Sequence, residues 1–198
     1  YLTQYDPIVN LLVFAHKNEA QCFLYRYHAD KAHNLFSGLY RYDNGYILIC
    51  GEGLEQSLAS SCAALGILNG ENIETVINFG VCGQLPHSSN MPQTLSIRTT
   101  YSELADGHPQ FKSFTTQDKN ASVDIISAKK RVLSNEYAEA LSPFAPIVDR
   151  EAWAVAYAAH TFNKAFYCIK TISDFAGLET QCFDVRAQSL IFSERLFD

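Results

Sequence analysis

The sequence has no long apolar run. No stretch of the 198 residues reaches the length of about 20 apolar residues that a membrane-spanning helix requires. No basic segment followed by an apolar one, as in a secretory signal, opens the chain. We therefore expect a cytoplasmic protein with no membrane partner.

Clustered positive charge is also scarce. The chain has 15 Lys and Arg residues against 21 Asp and Glu residues, and its formal net charge is −6. Proteins that bind the phosphate backbone of nucleic acids need a surplus of Lys and Arg on one surface. We therefore expect no nucleic-acid partner. The basic run at residues 129–131 is typical of a solvated surface segment.

Disulfide, metal and serine-hydrolase motifs are missing. The six cysteines show no C-x-x-C spacing, and most lie in apolar runs, where a free cysteine packs as a small apolar residue. The six histidines form neither an H-E-x-x-H motif nor a Cys/His cluster. There is no G-x-S-x-G turn. We expect a reducing compartment, no disulfide and no metal ion.

Strand and helix patterns alternate along the chain. Short apolar runs predict strands at residues 8–15, 74–79, 94–100, 123–127 and 165–172, and a hairpin at 35–42 and 46–50. Helical spacing is found at residues 17–25, after Gly53, from residue 152 and at 181–196. In the last of these helices the residues predicted to face inward are Phe183, Ala187, Leu190 and Ile191. The alternation predicts one α/β domain over residues 1–198.

Residues 147–177 carry two acids in distinctive positions. Glu151 stands at the predicted start of a helix, and Asp174 directly follows the predicted strand at 165–172. Because ligands in α/β sheets bind beyond the carboxyl ends of strands, both acids can face one cleft. Taken singly, Glu151 is typical of an acid at a helix start and Asp174 of a turn residue.

The same segment resembles the purine nucleoside phosphorylase and nucleosidase superfamily. VDREAWAVA followed by KTISDFAG is similar to the closing motifs of that family, V-E-M-E-(small)-(small)-(apolar)-A and R-x-I-S-D. ETVINFGVCGQL is similar to V-I-N-T-G-x-A-G-G-L, which lines the ribose and base pocket. The branch that the motifs resemble most is the 5′-methylthioadenosine/S-adenosylhomocysteine nucleosidases. The implied fold is a central twisted mixed β-sheet flanked by helices.

The resemblance implies roles for three acids. Asp174, held by Ser173, would protonate the purine at N7, and Glu151 would accept hydrogen bonds from the ribose hydroxyls. The apolar strand at 8–15 resembles the strand that precedes A-M-E-E-E in the nucleosidases, which places Glu19 on the acid that activates water. Cleavage of an N-glycosidic bond needs an acid, a carboxylate near the sugar and a directed water. Acids that share a cleft raise one another's pKa, and we expect the largest effect at Asp174.

Other substrate-binding positions follow from the same resemblance. Gly51 opens the loop that holds phosphate in phosphorylases or water in hydrolases, and Gly80 and Gly83 belong to the ribose and base pocket. A dinucleotide site at G-x-G is rejected, because Gln56 occupies the third glycine position. Arg131 and Val132 stand in the loop that clamps the base, where the family has S-G-D-x-F.

Two departures from the family concern the sugar substituent. Arg150 replaces a methionine beside the sugar, and His16 replaces a methionine near the 5′ group. A polar or anionic 5′ substituent, such as that of futalosine, would gain a charge-assisted hydrogen bond from them. The alternative is that both side chains point into solvent or to a partner subunit.

We predict a hydrolytic purine nucleosidase of the methylthioadenosine/adenosylhomocysteine or futalosine type that uses no cofactor and forms a homodimer. Two alternatives stay open, a phosphate-dependent phosphorylase and a non-catalytic nucleoside-binding protein of the same fold. The loop at 51–55 contains Glu52 and Glu55 but no basic residue, which favours water over phosphate. In the nucleosidases the region equivalent to residues 101–120 closes the partner's 5′ pocket, whereas here an ordinary loop is the simpler interpretation.

Overall fold

The computed structural model describes residues 9–32, 36–88, 91–105, 108–109, 112–177 and 187–198. Within them the strands are β1 (Val9–Phe14), β2 (Asp30–Lys31), β3 (Leu39–Tyr42), β4 (Gly45–Ile49), β5 (Ile73–Gln84), β6 (Thr94–Ala105), β7 (His108–Pro109), β8 (Phe114–Thr115), β9 (Val123–Ser127), β10 (Ile147–Asp149) and β11 (Ala165–Phe175). The α-helices are α1 (Gln21–Arg26), α2 (Leu54–Ile67), α3 (Asn135–Leu141), α4 (Ala152–Thr161) and α5 (Ser189–Phe197), with a 3₁₀ turn at Leu68–Gly70.

The strands form one mixed sheet that partly closes on itself. Its order is β10-β9-β6-β11-β5-β1-β4-β3-β2, and β10 also pairs with β5 in antiparallel fashion. Strand β1 is parallel to β4 and β5, and β5 is parallel to β11. The carboxyl ends of these four strands therefore meet at one edge of the sheet, as the sequence predicted for a ligand site.

Helices cover both faces of this sheet. Alternate residues of β1 belong to different cores: Leu11 and Val13 pack with α2 and α4, whereas Leu12 and Phe14 pack with α1 and α5. The contact of α2 with α4 is made by small side chains, since the buried residues of α2 include Ser57, Ser60, Ser61 and Ala64. The predicted α/β class, with a mixed sheet flanked by helices, is confirmed.

Two central strands are longer than predicted. Strand β5 continues through Gly80 and Gly83, which lie beyond the predicted strand at 74–79, and β11 continues through Ser173 and Asp174. The two strands pair with each other over this extension, and their mutual backbone hydrogen bonds keep the glycines and polar residues in the sheet. The segment 101–120, interpreted as a loop, contains the end of β6, β7 and β8 among its described residues.

Two helix predictions were inaccurate. Helix α1 begins at Gln21, so Glu19 lies in the turn before it and not in its first turn. In α5 the predicted inward face is wrong, because Ala187, Leu190 and Ile191 are exposed and Phe192, Ser193 and Leu196 are buried. The side of α5 that faces inward is decided by its contact with α1, where the N–H of Cys22 donates to Oγ of Ser193 at 2.9 Å. Phe183 lies outside the described residues.

The described cysteines are unpaired. Cys22, Cys50, Cys62, Cys82 and Cys168 all carry free thiols, and Cys182 lies outside the described residues. Among the helices of the described part of the chain, none has the length and apolar character needed to cross a membrane.

Candidate active site

A cavity of about 580 Å³ opens where the carboxyl ends of β1, β4, β5 and β11 meet. Its walls also include the loop after β9, the junction of β10 with α4, and the start of α5. The three predicted acids Glu19, Glu151 and Asp174 all line this cavity, although they lie far apart in the sequence. The fold therefore brings the three carboxyl groups into one pocket.

Glu19 is held at the cavity by two backbone amides. The N–H of His16 donates to its Oε2 at 3.1 Å, and the N–H of Val81 in β5 donates to its Oε1 at 3.3 Å. Only 6% of the residue is exposed. Burial raises the pKa of Glu19, and the nearby charge of Lys170 opposes this rise.

Glu151 precedes α4 without capping it. The first amides of α4 are satisfied by other side chains, since Ala152 N–H donates to Asp149 and Trp153 N–H donates to Ser127. The carboxylate of Glu151 is thereby left to accept the N–H of Gly53 at 2.7 Å. Burial raises the pKa of Glu151 to about 8, and the negative charge of Asp149 adds to this rise.

Asp174 is oriented by an irregularity in β11. The pairing of β11 with β5 shifts register between Ile172 and Asp174, so Ser173 is an extra residue in the strand. Such bulges redirect side chains. The hydroxyl of Ser173 donates to Oδ1 of Asp174, as the resemblance implied.

The physical cause of the raised pKa at Asp174 differs from our expectation. Burial alone raises it, the hydrogen bond from Ser173 opposes the rise, and no other acid contributes. Mutual repulsion acts instead at Glu151, whose pKa is raised by Asp149 and, to a smaller extent, by Glu19. We therefore expected the repulsion at the wrong member of the trio, because burial and spacing are decided only in the folded chain.

Lys170 stands at the basic position of the R-x-I-S-D motif, but it was not among the predicted site residues. It is 1% exposed, it lines the cavity, and its Nζ lies 2.8 Å from Oδ2 of Asp149. The sequence contains a feature that could have identified this residue, since Lys170 is the only charged residue within the predicted strand at 165–172. A charge inside a buried strand requires a buried partner.

Three charged side chains and a histidine meet at another part of the cavity wall. Glu52 accepts two hydrogen bonds from Arg131, at 2.9 and 3.0 Å, and one from Arg150. Nε2 of His16 lies 3.6 Å from Glu52. The three predicted substrate-binding residues therefore share one carboxylate. Basic residues absent from the loop at 51–55 in sequence are supplied from other segments of the chain.

The remaining predicted positions fall into two groups. Gly80, Gly83 and Val132 line the cavity, and the carbonyl of Val132 accepts the N–H of Gly177 at 3.0 Å. Gly51 is not part of the cavity wall. Its φ of +86° and the close packing of Gln56 against it explain the glycine by backbone geometry.

Comparisons with known proteins identify the fold. No protein-family model matches the sequence, and no curated protein sequence matches it. The structure is similar to a futalosine hydrolase mutant of Helicobacter pylori, with a TM-score of 0.75 and 17% identity over 96% of this chain and 95% of that one. It is similar to an S-adenosylhomocysteine nucleosidase from Streptococcus pyogenes, with a TM-score of 0.78 and 15% identity over 98% and 94%.

A third solved structure extends this pattern. The 5′-methylthioadenosine/S-adenosylhomocysteine nucleosidase from Neisseria meningitidis is 17% identical, with a TM-score of 0.76 over 95% of this chain and 94% of that one. These likenesses cover nearly the whole of each chain. The predicted nucleoside phosphorylase-like fold is thereby confirmed, and this chain has the fold of the nucleosidases of that superfamily.

Proposed function

We propose that this protein hydrolyses the N-glycosidic bond of a purine nucleoside and releases the free base and a ribose derivative. The observation that carries the proposal is the convergence of Glu19, Glu151 and Asp174 on one cavity in a nucleosidase fold. The acids supply the groups that the reaction needs, namely a general acid, a carboxylate near the sugar and a base for water.

In this proposal Asp174 protonates the departing purine at N7. A general acid must keep its proton close to neutral pH, and burial raises the pKa of Asp174 in that direction. Ser173 holds the carboxyl by its hydrogen bond to Oδ1. Protonation of the base lowers the barrier because it neutralises the negative charge that builds on the leaving group.

Glu151 and Glu19 act on the sugar side. Glu151 accepts hydrogen bonds from the ribose hydroxyls, which favour its ionised form as positive charge develops on the sugar. Glu19 takes a proton from the attacking water. Its two hydrogen bonds from the amides of His16 and Val81 hold its carboxylate in place for this step.

Hydrolysis is favoured over phosphorolysis because the backbone amides at the cavity already donate hydrogen bonds. A phosphate site needs free amides or unpaired basic groups. The amides of His16, Val81 and Gly53 already donate to Glu19 and Glu151. These amides are therefore committed to the two carboxylates and do not form a cradle for a phosphate ion.

The charged residues around Glu52 bear on the substituent of the sugar. Arg150 and Glu52 are the sequence neighbours of Glu151 and Gly53, which are hydrogen-bonded to each other. The charges of two arginines exceed that of the one carboxylate they share. We therefore propose a substrate with an anionic 5′ substituent, of the kind that futalosine carries, which binds beside Arg131 and Arg150.

Dimerisation and a cytoplasmic location belong to the same proposal. Leu104, Leu133 and Phe175 are exposed apolar residues, and Leu133 also lines the cavity. An exposed apolar side chain at the edge of a site, such as Leu133, can be covered by a second subunit. Sedimentation equilibrium checks the homodimer, and a stable monomer at micromolar concentration would contradict it.

The experiment that tests the function measures base release from methylthioadenosine, adenosylhomocysteine, inosine and futalosine, each with and without phosphate. We expect release without phosphate, and faster release from futalosine than from methylthioadenosine. Release that depends on phosphate would identify a phosphorylase. Nucleoside binding without release, measured by calorimetry, would identify a non-catalytic binding protein.

A further inference from the structure

Glu52 fills the part of the cavity wall at which the proposed substrate anion would bind. Its carboxylate accepts hydrogen bonds from Nε and Nη2 of Arg131 at 2.9 and 3.0 Å, and from Nη1 of Arg150. All three residues line the cavity. Two parallel hydrogen bonds from one guanidinium are the arrangement in which arginine also binds the carboxylate of a ligand. A carboxylate of the protein itself therefore occupies an anion-binding site.

The contact of Glu52 with the two arginines is exposed enough to be exchanged. The side chains of Glu52, Arg131 and Arg150 are 27%, 54% and 25% exposed. Ion pairs that are in contact with water contribute little to stability, because water also solvates the separated partners. A second carboxylate that enters the cavity can therefore replace Glu52 without disturbing the fold.

The backbone on both sides of Glu52 is held in place. Gly51 and Gly53 adopt positive φ values of +86° and +91°. The N–H of Gly51 donates to the carbonyl of Ala15 at 3.2 Å, and the N–H of Gly53 donates to Glu151 at 2.7 Å. Because these hydrogen bonds do not involve the side chain of Glu52, the exchange requires only that this side chain turns.

Arg150 lies between this anion-binding site and the carboxylate that is proposed to hold the ribose. A β-carbon on Gly53 would stand 3.2 Å from Nη2 of Arg150, so glycine lets the guanidinium pack against this loop. The N–H of the same glycine donates to Glu151. A sugar that is hydrogen-bonded to Glu151 therefore carries its substituent beside Arg150.

Glu52 does not satisfy all the donors of Arg150. Nη1 donates to Glu52, Nη2 donates to the carbonyl of Lys129 at 3.4 Å, and Nε is buried with no hydrogen-bond partner among the residues that the structure describes. A buried donor without a partner is unfavourable. The contact with Glu52 thus leaves Arg150 incompletely paired, which favours its exchange for a ligand carboxylate.

We propose that Glu52 is a specificity-determining residue, an internal counter-ion that holds Arg131 and Arg150 until a carboxylate on the 5′ substituent of the substrate takes its place. The inference rests on the proposed function, in which the substrate carries such an anionic group. A neutral substituent cannot displace Glu52. Competition with Glu52 lowers the apparent affinity for every anion by the same factor, so free anions bind weakly. A nucleoside that is also held by Glu151 overcomes this competition.

The first test measures binding of benzoate, a free carboxylate, by calorimetry. Glu52→Gln keeps the shape of the side chain but removes its charge, so the Kd of benzoate should fall by about tenfold. Glu55→Gln makes the same change at an exposed acid outside the cavity wall and is the matched control, which should bind benzoate as the wild type does. In a variant that also carries Arg131→Met and Arg150→Met, Glu52→Gln should bring no gain.

The benzoate measurement has two outcomes that overturn the proposal. If Glu52→Gln binds benzoate no better than the wild type, Glu52 does not compete with a ligand anion. If the variant gains affinity for inorganic phosphate but not for benzoate, the site does not select a carboxylate.

The second test follows the side chain of Glu52 directly. Its carboxyl ¹³C resonance is assigned by its loss in Glu52→Gln. When benzoate is added to the wild type, this resonance should move toward the position of a solvated carboxylate. A resonance that stays in place while benzoate binds would show that Glu52 remains on the arginines, and would overturn the exchange.

The third test uses turnover. The ratio of kcat/KM for futalosine to that for methylthioadenosine should rise by about tenfold in Glu52→Gln and stay unchanged in Glu55→Gln. A lower ratio would show that Glu52 orients the arginines for the substrate, which is the opposite role. If no nucleoside is cleaved, the proposed function fails, yet the benzoate and resonance measurements still decide whether Glu52 is displaced.

Discussion

Two groups of charges in the same cavity have opposite electrostatic properties. We call Glu19, Asp149, Glu151 and Lys170 the floor cluster, and His16, Glu52, Arg131 and Arg150 the rim cluster. In the floor cluster burial dominates and raises the pKa of both glutamates. In the rim cluster the hydrogen bonds and charge of Arg131 dominate, and the pKa of Glu52 is lowered.

The carboxyl groups of the two clusters differ in their exposure to solvent and in the number of cationic groups around them. The side chain of Glu52 is 27% exposed and faces two arginines, so its ionised form is stabilised both by water and by a surplus of positive charge. The glutamates of the floor cluster are nearly inaccessible and share one lysine with Asp149. A carboxyl group that transfers protons is therefore placed among few cations and little water. A site that binds an anion is placed among several cations and is open to water.

The largest expected effect concerns proton transfer by the half-buried Asp174. Asp174→Asn removes the proposed proton donor while keeping the shape of the side chain, and we expect kcat for base release to fall by about 10²- to 10⁴-fold. Steady-state assays with the preferred nucleoside measure this loss. Turnover equal to that of the wild type would remove Asp174 from the mechanism.

The next effect contrasts the stability contributions of the two clusters. Lys170→Met leaves Asp149 buried without its cation, and the loss of one partner of a buried pair costs about 3–5 kcal/mol in the free energy of unfolding. Glu52→Gln in the rim cluster should cost about 0–1 kcal/mol, since partly exposed ion pairs contribute little. Urea unfolding of both variants checks the contrast, and equal losses would contradict it.

A third prediction uses the pH dependence of stability. The folded-state pKa of Glu151 is about 8 against an ordinary value of 4.5, so between these values the folded protein keeps a proton that the unfolded chain releases. The free energy of unfolding should therefore fall with rising pH in this window, by about 1.4 kcal/mol per pH unit from this residue. Glu151→Gln should remove that slope while the amide oxygen can still accept the N–H of Gly53. Urea titrations at several pH values compare the two proteins, and identical slopes would refute the assignment.

The smallest expected effect concerns substrate choice at the rim cluster. Arg150→Met removes one charge-assisted hydrogen bond, which is worth about 1.5–3 kcal/mol, so KM for futalosine should rise by about 10- to 100-fold. KM for methylthioadenosine, which has no anionic tail, should change little. A similar rise for both nucleosides would show that Arg150 does not distinguish the sugar substituent.

Much of the fold was predictable because local patterns agree with it. The predicted strand at 123–127 matches β9, and that at 8–15 contains β1. Burial on both faces makes such strands continuous apolar runs, which are visible in sequence. The extension of β5 and β11 through Gly83 and Asp174 was not visible, because glycine and polar residues remain in these strands through pairing with other strands.

The resemblance selected three acids that meet in one cavity, but it also selected Gly51, which does not line the cavity, and it missed Lys170. The resemblance located Glu19, Glu151 and Asp174, and all three line the cavity. The pairing of Lys170 with Asp149 joins residues on two separate strands, which no local pattern encodes. The shared contacts of Arg131 and Arg150 with Glu52 also depend on chain segments that meet only in the folded protein.

The sequence alone determined the alternation of strands and helices, because hydrophobic spacing is a property of neighbouring residues. The family resemblance singled out three acids, and the fold brings them to one cavity. The tertiary structure decided which carboxyl groups are buried, which cation each one meets, and which side of α5 faces inward. These properties depend on contacts between residues far apart in the chain, and burial then determines whether a carboxyl group holds or releases its proton.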